Sequence, residues 1–262
     1  MSKLFIIKIG GNIIDNDSAL QSFLQNFASV EGKKILVHGG GKIATKIGEQ
    51  LNIASNYIDG RRITDGDTID LVTMVYGGLV NKKIVAQLQS YHCNAIGLTG
   101  ADANSISAIK RPVKDIDYGF VGDITTSQLA VHSWQLFLNN DLVPVVAPLT
   151  HDGKGQILNT NADTIASALA VALSGIYDVR LIYCFEKKGV LLNIDDDNSV
   201  INHINKEKYQ QLIEDKKLAD GILPKIDNAF AAIDNGVREV LIGDANDLLQ
   251  NCTEIVKGTL FK

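Results

Sequence analysis

The chain has 262 residues, a formal net charge of −5, 45% hydrophobic residues and 21% charged ones. That balance excludes a disordered, collagen-like or disulfide-built protein, and it argues against sequence-independent nucleic-acid binding. Its three cysteines, Cys93, Cys184 and Cys252, show no CxxC or zinc-type spacing, so we expect reduced thiols and a cytoplasmic location.

The opening "MSKLFIIKIGG" has too short an apolar run for a secretory signal and enters a strand at once. Further β-rich runs follow in order: "KKILVHG", "NAIGLTG", "LVPVVAPL", "VRLIYCF" and "EVLIG". Several are apolar on both faces, as parallel strands covered by helices are. Helical patterns separate most of them: "SALQSFLQNFASV", "KIATKIGEQLNI", "TIDLVTMVYGGLVNKKIVAQLQSY", "ADTIASALAVALSG", "NKEKYQQLIEDK" and "PKIDNAFAAIDNG". The last carries Pro224 in its opening turn and an Asn-Gly exit, which are start and stop signals.

Gly175, Asp178 and Arg180 interrupt the most apolar longer stretch well short of a membrane span. The pattern predicts an α/β fold with a mainly parallel central sheet. No internal repeat or Pro/Ser-rich linker divides the chain, so any two lobes must be closely joined. Turn-rich "KRPVKDIDYGFVGDITT" and "THDGKGQILNTN" are expected to form hairpins or a flap over a site. "NIDDDNSV" is expected to be a solvated turn, since it lacks the glycine and terminal glutamate of a calcium loop.

Three glycine clusters fall at strand ends: Gly10 with Gly11, Gly39 to Gly41, and Gly97 to Gly100. Each alone is accounted for by a tight turn. Together they suggest an anion site, because glycine lets backbone N–H groups approach a ligand and a following helix adds its positive end. "VHGGGK" is not a P-loop, and no strand is followed by GxGxxG.

In "LNTNAD", Asn159, Asn161 and Asp163 alternate, so an extended chain would set all three on one face. Helix capping would account for one of them. Lys225 sits just inside a helix, where the dipole disfavours a cation unless an anion is near, and Arg61 and Arg62 offer planar forks for carboxylates. The five histidines form no HxxH pair and there is no GxSxG elbow, which weighs against metal and serine hydrolases. His38 is expected to be a packed or turn-bonding histidine rather than a base.

In this order, "KIGGNII", "VHGGGK", "GRRITD", "GLTGAD", "NTNAD" and "DGILPKIDNA" resemble the amino acid kinase family, and within it the acylglutamate branch. The resemblance runs from Lys3 to the closing "GTLFK". It implies a three-layer αβα sandwich, with an N-terminal lobe (about residues 1–175) for the acyl amino acid and a C-terminal lobe (about 176–262) for most of ATP. The implied reaction moves a phosphoryl group from ATP, carried with Mg2+, to the side-chain carboxylate of N-acetyl-L-glutamate in arginine biosynthesis.

By the same resemblance Lys8 and Lys225 would bracket the transferring phosphoryl group and Asp163 would orient both lysines. Gly10, Gly11 and Gly40 would line the phosphate site. Arg62 would clamp the substrate's α-carboxylate, with Gly40, Gly41, Asn159 and Asn161 completing its pocket. Magnesium would be held by phosphate oxygens and water, without a dedicated protein cage. No membrane or nucleic-acid partner is expected.

Two positions depart from the family pattern. Arg61 replaces an apolar residue beside the substrate-binding arginine, so an extra cation could read an extra carboxylate, with N-succinyl-L-glutamate as the alternative substrate. In "YCFEKKGVL", Glu186 could stand in for the family's aspartate near the nucleotide. Only a few residues precede the first strand, whereas arginine-inhibited hexamers of the family carry an additional N-terminal helix. The expectation is therefore a homodimer without that control. Other members of the family, or a non-catalytic sensor on the same fold, are the competing possibilities.

Overall fold

Seven residues, Lys3–Ile9, form strand β1, and their side chains sort by parity. Leu4 and Ile6 join one apolar layer, while Phe5, Ile7 and Ile9 join the other. Alternate side chains of a strand point to opposite faces, so a run apolar at both parities needs helices on both sides. The computed structural model describes residues 1–262 except 59, 126, 127, 194, 195, 197, 216 and 219–221.

After β1 come α1 (Gly11–Ile14), α2 (Asp17–Ser29), β2 (Lys33–His38), α3 (Gly41–Gln50) and the hairpin of β3 (Tyr57–Ile58) with β4 (Arg61–Arg62). A long helical stretch then joins α4 (Gly66–Val72), a π-helical segment (Thr73–Val80) and α5 (Asn81–Ser90). Next are β5 (Ala95–Leu98), β6 (Ile109–Lys110), β7 (Gly122–Asp123), α6 (Val131–Asn139), β8 (Val143–Val146), β9 (Leu149–His151) and β10 (Ile157–Asn159). The remainder is α7 (Ala162–Ser174), β11 (Asp178–Phe185), β12 (His203–Ile204), α8 (Lys206–Glu214), α9 (Leu223–Asp234), β13 (Glu239–Asp244), α10 (Leu248–Asn251) and β14 (Thr259–Phe261).

Local signals account for several boundaries. Asn16 caps α2 by accepting the Ala19 N–H at 3.0 Å, and Leu20, Phe23, Leu24 and Phe27 supply its buried stripe. Pro224 lies in the first turn of α9, and Gly236, at φ +99°, follows its end.

The eight-stranded sheet runs β12-β14-β13-β11-β1-β2-β8-β5. Neighbours are parallel except β13 with β14, which pair antiparallel one strand in from the β12 edge. From β1 the chain moves to β2 on one side, and β11 lies on the other, so the strand order reverses about β1. Such a switch leaves a crevice at the carboxyl ends of the strands.

All six expected strands form, and both turn-rich segments make antiparallel pairs, β6 with β7 and β9 with β10. The helix expected over "TIDLVTMVYGGLVNKKIVAQLQSY" is continuous but widens into a π turn at its centre. Helix α6 and strands β12 and β14 had no counterpart among the sequence-based expectations. Part of "NIDDDNSV", the first two residues of "DGILPKIDNA" and Asp59 of "DGRRITD" lie outside the described residues.

Candidate active site

An open cleft of about 1630 Å³ lies at the carboxyl ends of β1, β2 and β11. Among its described lining side chains, lysines and arginines outnumber aspartates and glutamates, although the chain as a whole is acidic. The cleft is therefore suited to an anionic ligand.

Lys8 owes its direction to the parity of β1. Leu4 and Ile6 face the layer that contains α7, and two residues on Lys8 takes the same side. Its Nζ meets Oδ1 of Asp163 at 2.7 Å, with the lysine side chain only 10% exposed. Asp163 stands in the first turn of α7, where the dipole favours a carboxylate. The ammonium of Lys8 also lies 5.3 Å from the centroid of the Phe185 ring, at the end of β11.

Lys225, in the first turn of α9, reaches the same ring at 3.8 Å. Burial pushes its pKa down; the Asp163 charge opposes that, and the Lys8 charge adds to it. One aromatic ring thus gathers two ammonium groups, with the Asp163 carboxylate paired to Lys8 and its charge favouring the charged form of Lys225. Burial, reinforced by the nearby Asp163, raises the Tyr183 hydroxyl far above its usual range, so it stays protonated.

The first two glycine clusters line the cleft, with Gly10 capping α1 and Gly40 capping α3. Gly40 has φ +154°, and a Cβ there would lie 3.0 Å from Cδ1 of Tyr76, on the π-helical segment. Glycine is thus required at this position by conformation and by space. The third cluster differs from expectation: Gly97 and Gly100 are not part of the cleft wall. A Cβ at Gly97 would collide with Asn81 and one at Gly100 would lie 2.9 Å from the Thr150 backbone, so close packing explains both.

Arg62 is buried at 6% exposure, stacked 4.7 Å from the Tyr57 ring centroid. It donates to Ser55 Oγ at 2.5 Å, to the Gly41 carbonyl at 2.8 Å and to Thr45 Oγ1 at 2.9 Å. These partners aim the guanidinium at the glycine turn that opens α3. Arg61 also lines the cleft but is exposed.

Asn161 is the residue of its trio that caps a helix, its Oδ1 accepting the N–H groups of Asp163 at 2.8 Å and Thr164 at 3.1 Å. Asn159 donates to Thr64 Oγ1 at 3.0 Å, and both asparagines line the cleft. Glu186 is an exposed residue on the wall beyond β11. Among the described residues no group of three or more His, Cys, Asp or Glu could hold a metal ion.

Sequence patterns did not point to Phe185, Tyr76 or Tyr57, whose rings build this site. Nor did they single out Arg111 and Asp123, a 2.5 Å ion pair on the β6–β7 pair at the cleft wall. The signal for Phe185 was its parity with Tyr183, the register partner of Lys8.

Comparisons with known proteins place the whole chain among relatives. Residues 3–244 match the model of the amino acid kinase family. The chain is 57% identical over 257 residues to a protein of Cytophaga hutchinsonii named acetylglutamate kinase, covering 97% of this chain and 96% of that one. Among solved structures, N-acetylglutamate synthase from Neisseria gonorrhoeae superposes with a TM-score of 0.81 at 20% identity; the match covers 98% of this chain and 59% of that one. Carbamate kinase from Giardia lamblia superposes at 0.71 with 14% identity, covering 99% and 98%. The likeness of these last two is one of fold. The chain belongs to the amino acid kinase family.

Proposed function

We propose that the protein transfers the γ-phosphoryl group of ATP to the side-chain carboxylate of N-acetyl-L-glutamate, a step of arginine biosynthesis. The observation that carries this is the Lys8–Asp163 pair sharing the Phe185 ring with Lys225 beside the Gly10 and Gly40 turns. The relative from Cytophaga hutchinsonii supports the choice of substrate.

In this reaction a carboxylate oxygen attacks Pγ while the bond from Pγ to the bridging oxygen breaks, leaving its electron pair on ADP. The products are an acyl phosphate and ADP. No base is needed, because a glutamate side chain is already deprotonated at pH 7. Two anions must be brought together, so catalysis rests on alignment and charge stabilisation. Lys8 and Lys225 neutralise the phosphoryl oxygens, Asp163 holds the lysines, and the N–H groups of Gly11 and Gly40 donate to the phosphate with Gly10 beside them.

Arg62 takes the α-carboxylate, with Gly41, Asn159 and Asn161 around the rest of the substrate. ATP enters as its magnesium complex, and the metal belongs to that substrate. In this account residues 1–175 form the acyl-amino-acid lobe and 176–262 the nucleotide lobe, with Glu186 on the nucleotide side. The protein works as a cytoplasmic homodimer, and no helix among the described residues is long and apolar enough to cross a membrane.

A coupled assay tests this: ADP release with N-acetylglutamate, accompanied by a hydroxamate when hydroxylamine is present, is the expected result. ADP release only with glutamate or aspartate would overturn it. Tight ATP binding with no hydroxamate would instead identify a sensor.

A further inference from the structure

The ring of His38 is fully buried behind the glycine turn and takes no part in the chemistry described above. Its Nδ1 lies 2.7 Å from the Gly39 carbonyl oxygen, and its Nε2 lies 3.1 Å from Nδ2 of Asn81. Asn81, 1% exposed, has its amide orientation set from two sides. Nδ2 donates to the Val145 carbonyl at 2.9 Å, and Oδ1 accepts from Lys82 Nζ at 3.2 Å. Lys82 is itself held by the Gly97 carbonyl at 3.0 Å. A flipped amide would set two carbonyl oxygens against each other at Val145, so it is Nδ2 that faces His38. Nε2 must therefore accept, and the imidazole proton sits on Nδ1, donating to Gly39.

That hydrogen bond has a geometric consequence. Within a trans peptide the C=O and the following N–H point in opposite directions, and no peptide bond among the described residues is cis. The Gly39 carbonyl turned inward to His38 therefore turns the Gly40 N–H outward, toward the cleft that Gly40 lines. Among the described residues no backbone acceptor takes that N–H. Tyr76 packs against Gly40, so closely that a Cβ there would lie 3.0 Å from its Cδ1.

We propose that His38 is a positioning residue for phosphoryl transfer: locked in its Nδ1–H tautomer by Asn81, it fixes the Gly39–Gly40 peptide so that the Gly40 N–H is pre-aimed at the transferring phosphoryl group. The inference rests on the kinase reaction above and adds the device that orients one of its donors. A preset donor outperforms a mobile one because no reorganisation is needed as charge develops. His38 touches neither substrate; it acts through one peptide plane.

Three variants separate this from simple packing. An asparagine amide overlays the Nδ1 position and a glutamine amide overlays Nε2. His38→Asn keeps a donor for Gly39, His38→Gln keeps only the contact with Asn81, and His38→Phe keeps neither. We expect kcat to fall about 10- to 100-fold in His38→Gln and His38→Phe, with KM for N-acetylglutamate within about 3-fold, and His38→Asn to recover most of the loss. Equal kcat in His38→Gln and wild type, or losses that follow thermal stability in all three, would overturn the assignment.

Nitrogen-15 NMR of the histidine ring in the wild-type protein decides independently if the variants fold poorly. The Nδ1–H tautomer is expected, and an Nε2–H tautomer refutes the proposal. Failure of the kinase account would look different, since wild type itself would then not turn over N-acetylglutamate.

Discussion

Nζ of Lys8 and Oδ1 of Asp163 stand 2.7 Å apart, one from the central strand and the other from the first turn of the helix that covers it. The pair crosses from sheet to helix at the mouth of the cleft. It explains how a lysine follows Leu4 and Ile6 on the apolar side of β1: its charge is met where the core ends.

In the proposed reaction Lys8→Ala removes a charge that acts as the phosphoryl group passes between oxygens. We expect kcat to fall about 100- to 1000-fold, with KM for N-acetylglutamate changed only a few-fold. Steady-state kinetics at saturating ATP checks this. Weaker binding with turnover intact at saturation would remove Lys8 from the reaction.

Arg62→Lys tests the carboxylate clamp. Lysine keeps the charge but loses the fork that bonds Ser55, Gly41 and Thr45. KM for N-acetylglutamate should rise about 10- to 100-fold, matching loss of a charged hydrogen bond of about 1.5–3 kcal/mol, while KM for ATP moves little. Initial rates with each substrate varied in turn measure both.

The glycine pairs and the alternating "NTNAD" residues carry local signals, and parity and turn chemistry alone read them as an anion site; Lys8 and the roles given to Asp163, Lys225 and Arg62 came only from the resemblance to the family. The Gly97–Gly100 cluster carries the same local signal yet serves packing against Asn81 and Thr150, a distinction only tertiary contacts make. Phe185, Tyr76 and the π turn were not legible for the same reason: each acquires its role from a neighbour distant in sequence. Helix α6 buries Trp134, Phe137 and Leu138, too brief a stripe to stand out from its polar surroundings.

Acid should weaken the fold through His38. Burial depresses its pKa from 6.5 to about 4. At neutral pH the ring is mostly uncharged whether the chain is folded or unfolded. As pH falls through 6.5 the unfolded chain takes up a proton that the folded one refuses, so stability declines until about pH 4. The loss attributable to this residue is about 3 kcal/mol. Urea unfolding followed between pH 7 and pH 4 should show that slope, and His38→Phe should flatten it.

At the opposite end of the sheet Arg180 and Glu239 form a 2.5 Å pair that is 3% and 2% exposed. Arg180 also bonds the Asn251 and Thr253 carbonyls, tying α10 and its exit to β11. Glu239→Gln leaves the guanidinium without its counter-charge, so stability should drop by about 3–5 kcal/mol with kcat unchanged at low temperature. Thermal unfolding together with an assay at 15–20 °C separates the two effects.

The most direct test of the phosphoryl-transfer account labels the nucleophile. N-acetylglutamate carrying oxygen-18 in its side-chain carboxylate is incubated with unlabelled ATP, and the products are followed by phosphorus-31 NMR. The account predicts an acyl phosphate whose phosphorus signal is shifted by one directly bonded oxygen-18. ADP formed with no acyl phosphate detected even when hydroxylamine is present to trap it, or an acyl phosphate without the isotope shift, would contradict it.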